Sequence, residues 1–428
     1  MTTRREFIKD AAVLAGGGAL LGRAELATAS GRTALGPIEP TVKSAAAPVS
    51  PIRVVSAAAP DMLVDAKYNP AAVGRAFDAG MRELTGEGTQ EAAWSSLFSP
   101  SDVVGIKINC LGAPRVSSSV ASVHAVVAGL KSAGVKENAI IVWDRRDAEF
   151  QKTGLALNKG ASGVRVTGTS TQGESILPWV EGYDRDAFVS FPDGTLTRFR
   201  ELCRTDFFKT ATQRELFNSL TWLWMLSRMG DERAKKYEPE MRRLYTAEND
   251  RDGVKKIFDG VLGRFDAVTI PDEDKSCFSK IVSREITKLV NIAVLKHNED
   301  SGVTWATKNI ALGVTTNKVR FHIDYCAKAI PEILSAPCLR DKMVLHVGEA
   351  AKISTVSVSG THVAADNRIF FSRDPVALDR IGLDILEDKR REQGLESIRE
   401  IATHIASCAK KGLGTDDLSR VDLRALRV

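Results

Sequence analysis

The sequence predicts an α/β fold, a mainly parallel sheet flanked by helices, with a helical insertion. Three observations predict it. From residue 52 onward, short apolar runs alternate with amphipathic segments in a β-α-β-α-β order. The stretch of about 205–260 has no clear strand, and the alternation resumes after it. A composition of 43% apolar and 26% charged residues over 428 residues is that of a globular chain able to bury a large core.

Residues 1–29 read as an address. Thr3-Arg4-Arg5-Glu6-Phe7-Ile8-Lys9 has the form of a twin-arginine signal, and Ala27-Thr28-Ala29 offers a small-residue cleavage site. The weakly apolar stretch between them, Ala11 to Gly22, is shorter than the roughly 20 apolar residues of a membrane span. Residues 30–51, rich in Ala, Ser, Thr and Pro, read as a disordered linker, and 52–428 as the mature domain. The expected partner in export is the twin-arginine translocase, and the expected location is the periplasm or the exterior. No later stretch reaches span length, so no stable membrane span is expected after processing.

Ile52–Ser56 reads as the first strand. Pro70–Leu84 reads as a helix opened by proline, which a first turn tolerates. Val103–Asn109 is a strand, Ser119–Ala133 a helix closed by Gly134, and Ile140–Asp144 a strand. Arg146–Lys159 is expected to be helical, and Val164–Thr167 a strand. The insertion carries Leu216-Phe217, Leu220, Trp222-Leu223-Trp224-Met225-Leu226 and Met229, a cluster that suits packing. Strands are then expected at Ala267–Ile270, Thr287–Leu295, Met343–Val347 and Arg368–Ser372. Helices are expected at Ser301–Leu312, Ile323–Leu334 and Asp374–Glu387, the last with Asp374 as N-cap and Pro375 after it. A helical part at Leu395–Ala409 closes the chain.

Several chemistries are disfavoured. A net charge of +5 without a dense Lys/Arg run argues against nucleic acid as a partner. The six cysteines stand far apart with no C-x-x-C pair, which argues against an iron–sulfur cluster and a four-thiolate zinc site. No H-E-x-x-H, G-x-S-x-G or P-loop motif appears, so the sequence names neither metal nor cofactor.

Polar residues where strands end are the candidates for chemistry, because open α/β sheets bind ligands beyond the carboxyl ends of their strands. Lys107 and Asn109 lie two apart on one strand face, and a buried lysine there needs an acidic partner or an anionic ligand. Asp144 follows a strand, where it would orient a ligand or cap a helix. Leu295-Lys296-His297-Asn298-Glu299-Asp300 ends the most apolar strand, and Gly302-Val303-Thr304 and Lys308-Asn309 follow. Thr304 and Lys308, four apart, are expected to share a helix face. Asp379, inside a helix among apolar neighbours, calls for a basic partner, and Lys107, Lys296 or Lys308 is the expected one. His322 is expected to open a helix toward the same cleft.

These stretches resemble the DUF362 family, a domain of uncharacterised function. The resemblance rests on Val104–Asn109, Val142-Trp143-Asp144, Asn291–His297, Gly302–Asn309, Phe321-His322 and Ser372–Asp379. It implies an α/β domain and makes the motifs candidates for one shared site, but it implies no reaction. Some relatives resemble fusions to a ferredoxin-like module with two clusters, and this chain lacks the cysteines for one. A distant similarity to the N-terminal domain of nickel-dependent lactate racemase-like enzymes is one of fold.

The expectation is an exported protein that binds or transforms a small anionic ligand in a basic cleft at strand carboxyl ends. Lys107, Lys296 and Lys308 would supply charge, with Lys296 also a candidate catalytic group. His297 or His322 would act as general acid or base, since an imidazole titrates near neutrality. Asn109, Thr304 and Asn309 would orient the ligand, Asp144 and Asp379 would tune the bases or hold a metal, and Asp374 is a further ligand-binding candidate. The alternatives are a non-catalytic periplasmic binding protein and a redox or scaffold partner.

Overall fold

Lys288–Asn298, a strand with a strongly apolar middle, lies inside a ten-stranded sheet covered on both faces, as continuous apolar strands require. The computed structural model describes residues 51–428 apart from 172–173, 175–177, 192–206, most of 211–231, 247–249, 263–271, 273, 319–320, 323–325 and 361. The signal and linker, the expected strand at 267–270 and Trp222, Trp224, Met225 and Met229 lie outside the described residues.

In chain order the strands are β1 (Ile52–Ala58), β2 (Leu63–Val64), β3 (Lys67–Tyr68), β4 (Val104–Lys107), β5 (Ile140–Arg146), β6 (Arg165–Ser170) and β7 (Tyr183–Ser190), then β8 (Lys275–Ser279), β9 (Lys288–Asn298), β10 (Gly302–Thr304), β11 (Met343–Ser354), β12 (Val363–Ala365), β13 (Arg368–Ser372) and β14 (Val421–Arg427). The helices are α1 (Pro70–Thr85), α2 (Gln90–Ser95), α3 (Val120–Ser132), α4 (Asp147–Phe150), α5 (Phe207–Thr210), α6 (Glu232–Lys236), α7 (Glu238–Thr246) and α8 (Arg251–Leu262), then α9 (Ala306–Ala311), α10 (Ala329–Ser335), α11 (Pro337–Arg340), α12 (Pro375–Glu392) and α13 (Thr403–Lys410). The sheet runs β14-β1-β13-β11-β9-β4-β5-β6, with β10 on β9 and β12 on β11. Strands β11, β9, β4, β5 and β6 are mutually parallel, and β13 is antiparallel to both β11 and β1.

Local chemistry sets the helix ends. Asn69 caps α1 through a bond from Ala71 N, with Pro70 next, and Gly86 takes the left-handed conformation that ends it. Ser119 caps α3, and Asp374 caps α12. Helices α1–α3 bury Phe77, Trp94 and Leu130 on one sheet face against Ile106, Ile292 and Val347. Helices α9, α10, α12 and α13 bury Ile310, Ile333, Leu378 and Ile405 on the other, against Leu295 and Phe370. From β4 the chain winds through α3 to β5 and β6. The later strands β9 and β11 lie on the opposite side of β4, with their connection on the opposite face. The β4/β9 boundary is therefore the point where winding reverses, and open α/β sheets bind ligands there.

Three expectations are corrected. Only α4 forms within Arg146–Lys159; turns follow, broken by Gly154 at φ 86° and Gly160. Ser301–Leu312 is not one helix: Gly302–Thr304 folds back on β9 as β10, and α9 starts at Ala306. The helical end shrinks to α13, and the chain closes as β14, parallel to β1 at the sheet edge. β7 and β8 form a separate antiparallel pair that the sequence pattern did not separate from its surroundings.

Candidate active site at the carboxyl ends of β4, β5 and β9

Lys107 ends β4, buried, with Asn291 of β9 and Trp143 of β5 as its cross-strand neighbours. Its ammonium donates to Asp144 Oδ1 at 2.7 Å and to the Ile108 carbonyl at 2.6 Å. Asp144 Oδ2 accepts from Cys110 N at 2.7 Å. Burial opposes the Asp144 charge, but Lys107, then Arg145, outweigh it and keep the carboxyl below its ordinary range. Gly313 makes room: a Cβ there would sit 2.6 Å from Lys107 Nζ.

Lys296, fully buried near the end of β9, has no carboxylate in its hydrogen bonds. It donates to Asn109 Oδ1 at 2.7 Å and to the Leu111 carbonyl. Burial is the largest influence on it, reinforced by Arg145 and Lys107 and opposed by Asp144, and the amine is pulled down to about 7. Thr304 lies directly across from Lys296 in the β9/β10 register, so the two side chains share a face. The Thr304 hydroxyl is buried and has no hydrogen-bond partner among the described residues. A donor and acceptor left open beside a buried amine invites a ligand group.

A chain of amides leads away from Lys296. Asn109 Nδ2 donates to Asn309 Oδ1 at 3.0 Å, and Asn309 Nδ2 donates to Asn291 Oδ1 at 2.7 Å. Asn291 Nδ2 donates to the Ala306 carbonyl at 3.0 Å and to His346 Nδ1 at 3.3 Å. An amide nitrogen only donates, so His346 Nδ1 accepts and its proton sits on Nε2. Burial drops His346 to about 3, so it is neutral at ordinary pH.

On the β5 side, Glu174 is buried, with Lys318 at 2.7 Å, Arg146 at 3.7 Å and Arg145 at 3.8 Å. Arg145 also pairs with Glu149. Burial works against the Glu174 charge, and Lys318 and Arg145 overcome it, holding the carboxyl far below its usual range. Burial pulls Lys318 down to about 8 although Glu174 opposes it. Lys107, Lys296, Lys318, Arg145 and Arg146 thus face Asp144, Glu149 and Glu174, five basic groups against three acidic ones.

His297 and Lys308 lie apart from this cluster. Lys296 and His297 are adjacent on a strand that runs on to Asn298, so they face opposite sides of the sheet. His297 Nδ1 donates to the Val356 carbonyl at 2.6 Å, which leaves Nε2 as the basic nitrogen. Burial, then Arg390, pushes this imidazole down to about 4. Burial also raises neighbouring Glu299 to about 7. Lys308 does not share a helix face with Thr304, which is in β10. It donates to Asn298 Oδ1 at 2.5 Å and to Ser301 Oγ at 2.6 Å, closing the β9–β10 turn. His322 is partly exposed in a short turn beside Phe321.

Asp379 is partnered by backbone, not by the expected lysine. It accepts from Ala306 N at 2.6 Å and Thr307 N at 3.1 Å, capping α9 from a neighbouring helix. Asp374 accepts from Val376 N, Ala377 N and Thr415 N, pinning α12 to the C-terminal segment. Both carboxylates are thereby occupied in holding helix ends. Among the described residues, no group of three or more His, Cys, Asp or Glu side chains is placed to hold a metal ion. Cys110, Cys277, Cys338 and Cys408 are free thiols. No helix among the described residues is long and apolar enough to cross a membrane.

No curated protein matches the chain. A crystal structure of a Thermotoga maritima protein, a structural-genomics target, aligns with 10% identity and a TM-score of 0.38. The alignment covers 77% of this chain and 60% of that one, so the chain spans less than two thirds of its length. Residues 245–384 match the family model described as "Domain of unknown function (DUF362)", a span that holds Lys296, Thr304 and Asn309.

Proposed function

We propose that this protein is an exported enzyme that acts on a small anionic ligand at the β4/β9 reversal point, with Lys296 as its proton-transfer group. The carrying observation is the excess of positive charge around Lys107, Lys318, Arg145 and Arg146, four basic groups against Asp144, Glu149 and Glu174 even with the Lys296 amine neutral. Burying charge is costly unless something balances it, and a bound anion would supply the missing balance. Lys107 and Arg145 attract the anion, Thr304 and Asn109 orient it, and the neutral Lys296 amine takes a proton from it. A lysine tuned to the working pH suits a base better than a mere anchor, and this favours catalysis over simple binding. His297 and Lys308, on the far face, support the β9–β10 turn in this reading.

The ligand enters when the Leu111–Val116 turn moves aside. Leu111 provides the carbonyl over Lys296, and its own side chain is 43% exposed, so the cover is one turn thick. Thermal shift with a panel of small carboxylates and phosphates tests the site. Stabilisation by at least one anion, lost in both Lys296→Met and Lys107→Met, is the expected result. No stabilisation, or equal stabilisation of both variants, overturns it. Export follows from the Arg4-Arg5 pattern, and cell fractionation tests it: Arg4→Lys with Arg5→Lys should retain the precursor in the cytoplasm.

A further inference from the structure

We propose that Lys296 captures a small 2-oxo acid as a covalent imine. The inference rests on the anion-site reading above and names the substrate class that the same residues fit.

A lysine that forms imines must present a neutral amine, free of carboxylates, beside groups that hold the rest of a carbonyl compound. Lys296 meets each condition. Its hydrogen-bond partners are a carboxamide oxygen and a backbone carbonyl, which stabilise the protonated form less than a carboxylate would. Lys107, two strand-end residues before Asn109, carries a charge that repels a second ammonium and attracts a carboxylate. At an amine near 7, about half the molecules are neutral at pH 7, against fewer than roughly one in a thousand for an ordinary lysine.

The remaining atoms suit a carbonyl next to a carboxylate. The Thr304 hydroxyl, buried and without a partner among the described residues, faces the same side as Lys296. It can donate to the substrate oxygen as the amine attacks. In the step itself, Nζ bonds to the keto carbon, and the carbonyl π pair moves to oxygen and takes a proton. The carbinolamine oxygen takes a second proton, from the attached Nζ, and leaves as water, so the C=N nitrogen keeps one proton and the net proton consumed comes from solvent. Nothing is oxidised or reduced. Gly112 is needed above the amine, because a Cβ there would lie 2.6 Å from the Val116 carbonyl and 2.8 Å from that of Val358, with Lys296 Nζ 3.4 Å away. The cover therefore closes with no side chain between the loop backbone and the reacting nitrogen.

Trapping tests the proposal. The folded protein is incubated at pH 7 with pyruvate and sodium cyanoborohydride, then read by intact mass and peptide mapping. One reduced pyruvyl group per chain, on Lys296, about fivefold above Lys318 and about a thousandfold above an ordinary lysine, is expected from the neutral fractions. Lys296→Met and Lys296→Gln should both lose it. Butanone, a ketone without a carboxylate, should label Lys296 at least about tenfold more weakly, the scale of one lost charged contact. Labelling spread over many lysines, or none at all, overturns the imine. If pyruvate still raises the melting temperature in that case, the anion site stands alone. Equal labelling by butanone retains the imine chemistry but overturns the 2-oxo acid assignment, and with it the anion reading.

Discussion

The Ala306 carbonyl determines which face of Asn109 meets Lys296. A carbonyl only accepts, so Asn291 must turn Nδ2 toward Ala306 and Oδ1 toward Asn309. Asn309 must then present Nδ2 to Asn291 and Oδ1 to Asn109. Asn109 is left with Oδ1 facing the Lys296 ammonium. Three amide orientations, each ambiguous alone, are fixed in series from one backbone group on α9.

Breaking this series should reach Lys296 without touching it. Asn291→Leu removes the donor to Ala306 and the acceptor for Asn309, leaving buried groups unsatisfied at a cost of about 1–3 kcal/mol. Asn309 is then free to flip, and Asn109 can turn a donor toward Lys296. Urea denaturation should show the stability loss. The pH profile of Lys296 labelling by an amine-selective reagent should shift to lower pH, since a lost acceptor disfavours the ammonium. An unchanged profile with lowered stability would reduce the series to a packing role.

The Lys107–Asp144 pair should behave as a buried ion pair. Asp144→Ala leaves a buried ammonium and an unsatisfied Cys110 N–H, and a loss of about 3–5 kcal/mol is expected. Lys107→Met with Asp144→Leu should recover much of it, because an apolar pair avoids desolvating two charges. A double-mutant cycle in urea measures the difference. Equal losses in the single and double variants would mean that the pair contributes through shape rather than charge.

The Lys296 amine predicts a stability slope of definite sign. Its folded value, about 7, lies below the ordinary lysine value, so between about pH 7 and 10 the unfolded chain holds a proton that the native state lacks. Stability from this group should therefore rise with pH across that window and level off above it. His297 gives the same sign lower down: its folded value of about 4 lies below the ordinary imidazole, so stability falls as pH drops from about 6.5 toward 4. Denaturation of wild type and Lys296→Met from pH 6 to 10 isolates the first effect. A parallel pair of curves would show that Lys296 is not shifted.

Much of the frame was legible because strand-end polar residues stand out against apolar runs. Lys107 and Asp144 form one pair and Lys296, Asn109 and Asn309 one chain of hydrogen bonds, the two sets flanking the 108–110 backbone, with Asn109 and Asn309 two hundred residues apart in sequence. His297 is separated from them because β9 continues past Leu295, and strand alternation then divides neighbouring residues. Thr304 is in the site, but as a strand residue opposite Lys296 rather than on a helix with Lys308. Asp379 was read as a charge in need of a lysine, whereas backbone N–H groups at the start of α9 fill that role, and Asp374 caps α12 as its position before Pro375 indicates. Asn291 had a usable signal: an amide inside an apolar strand must be hydrogen-bonded. Glu174, Lys318 and Arg145 had none, since they meet through irregular segments without periodicity.

Trp305 shows why two glycines flank the site, and they yield the last prediction. Its indole donates to the Ala293 carbonyl at 3.1 Å and meets Phe370 edge-on at 5.5 Å. A Cβ on Gly348 of β11 or on Gly382 of α12 would lie 2.3 Å from its ring. Neither glycine has a positive φ, so both are there for space. Gly382→Ala should cost about 1–3 kcal/mol from overpacking, although alanine is the better helix former by about 1 kcal/mol. Gly74→Ala, in α1 with nothing within 4 Å of the added carbon, is the control and should stabilise. Because Trp305 immediately precedes α9, its displacement should also move Asn309 and lower Lys296 labelling, and adding Trp305→Phe should restore part of both. Urea midpoints and labelling of the three variants decide it: if Gly382→Ala behaves like Gly74→Ala, the indole can yield without disturbing the amides.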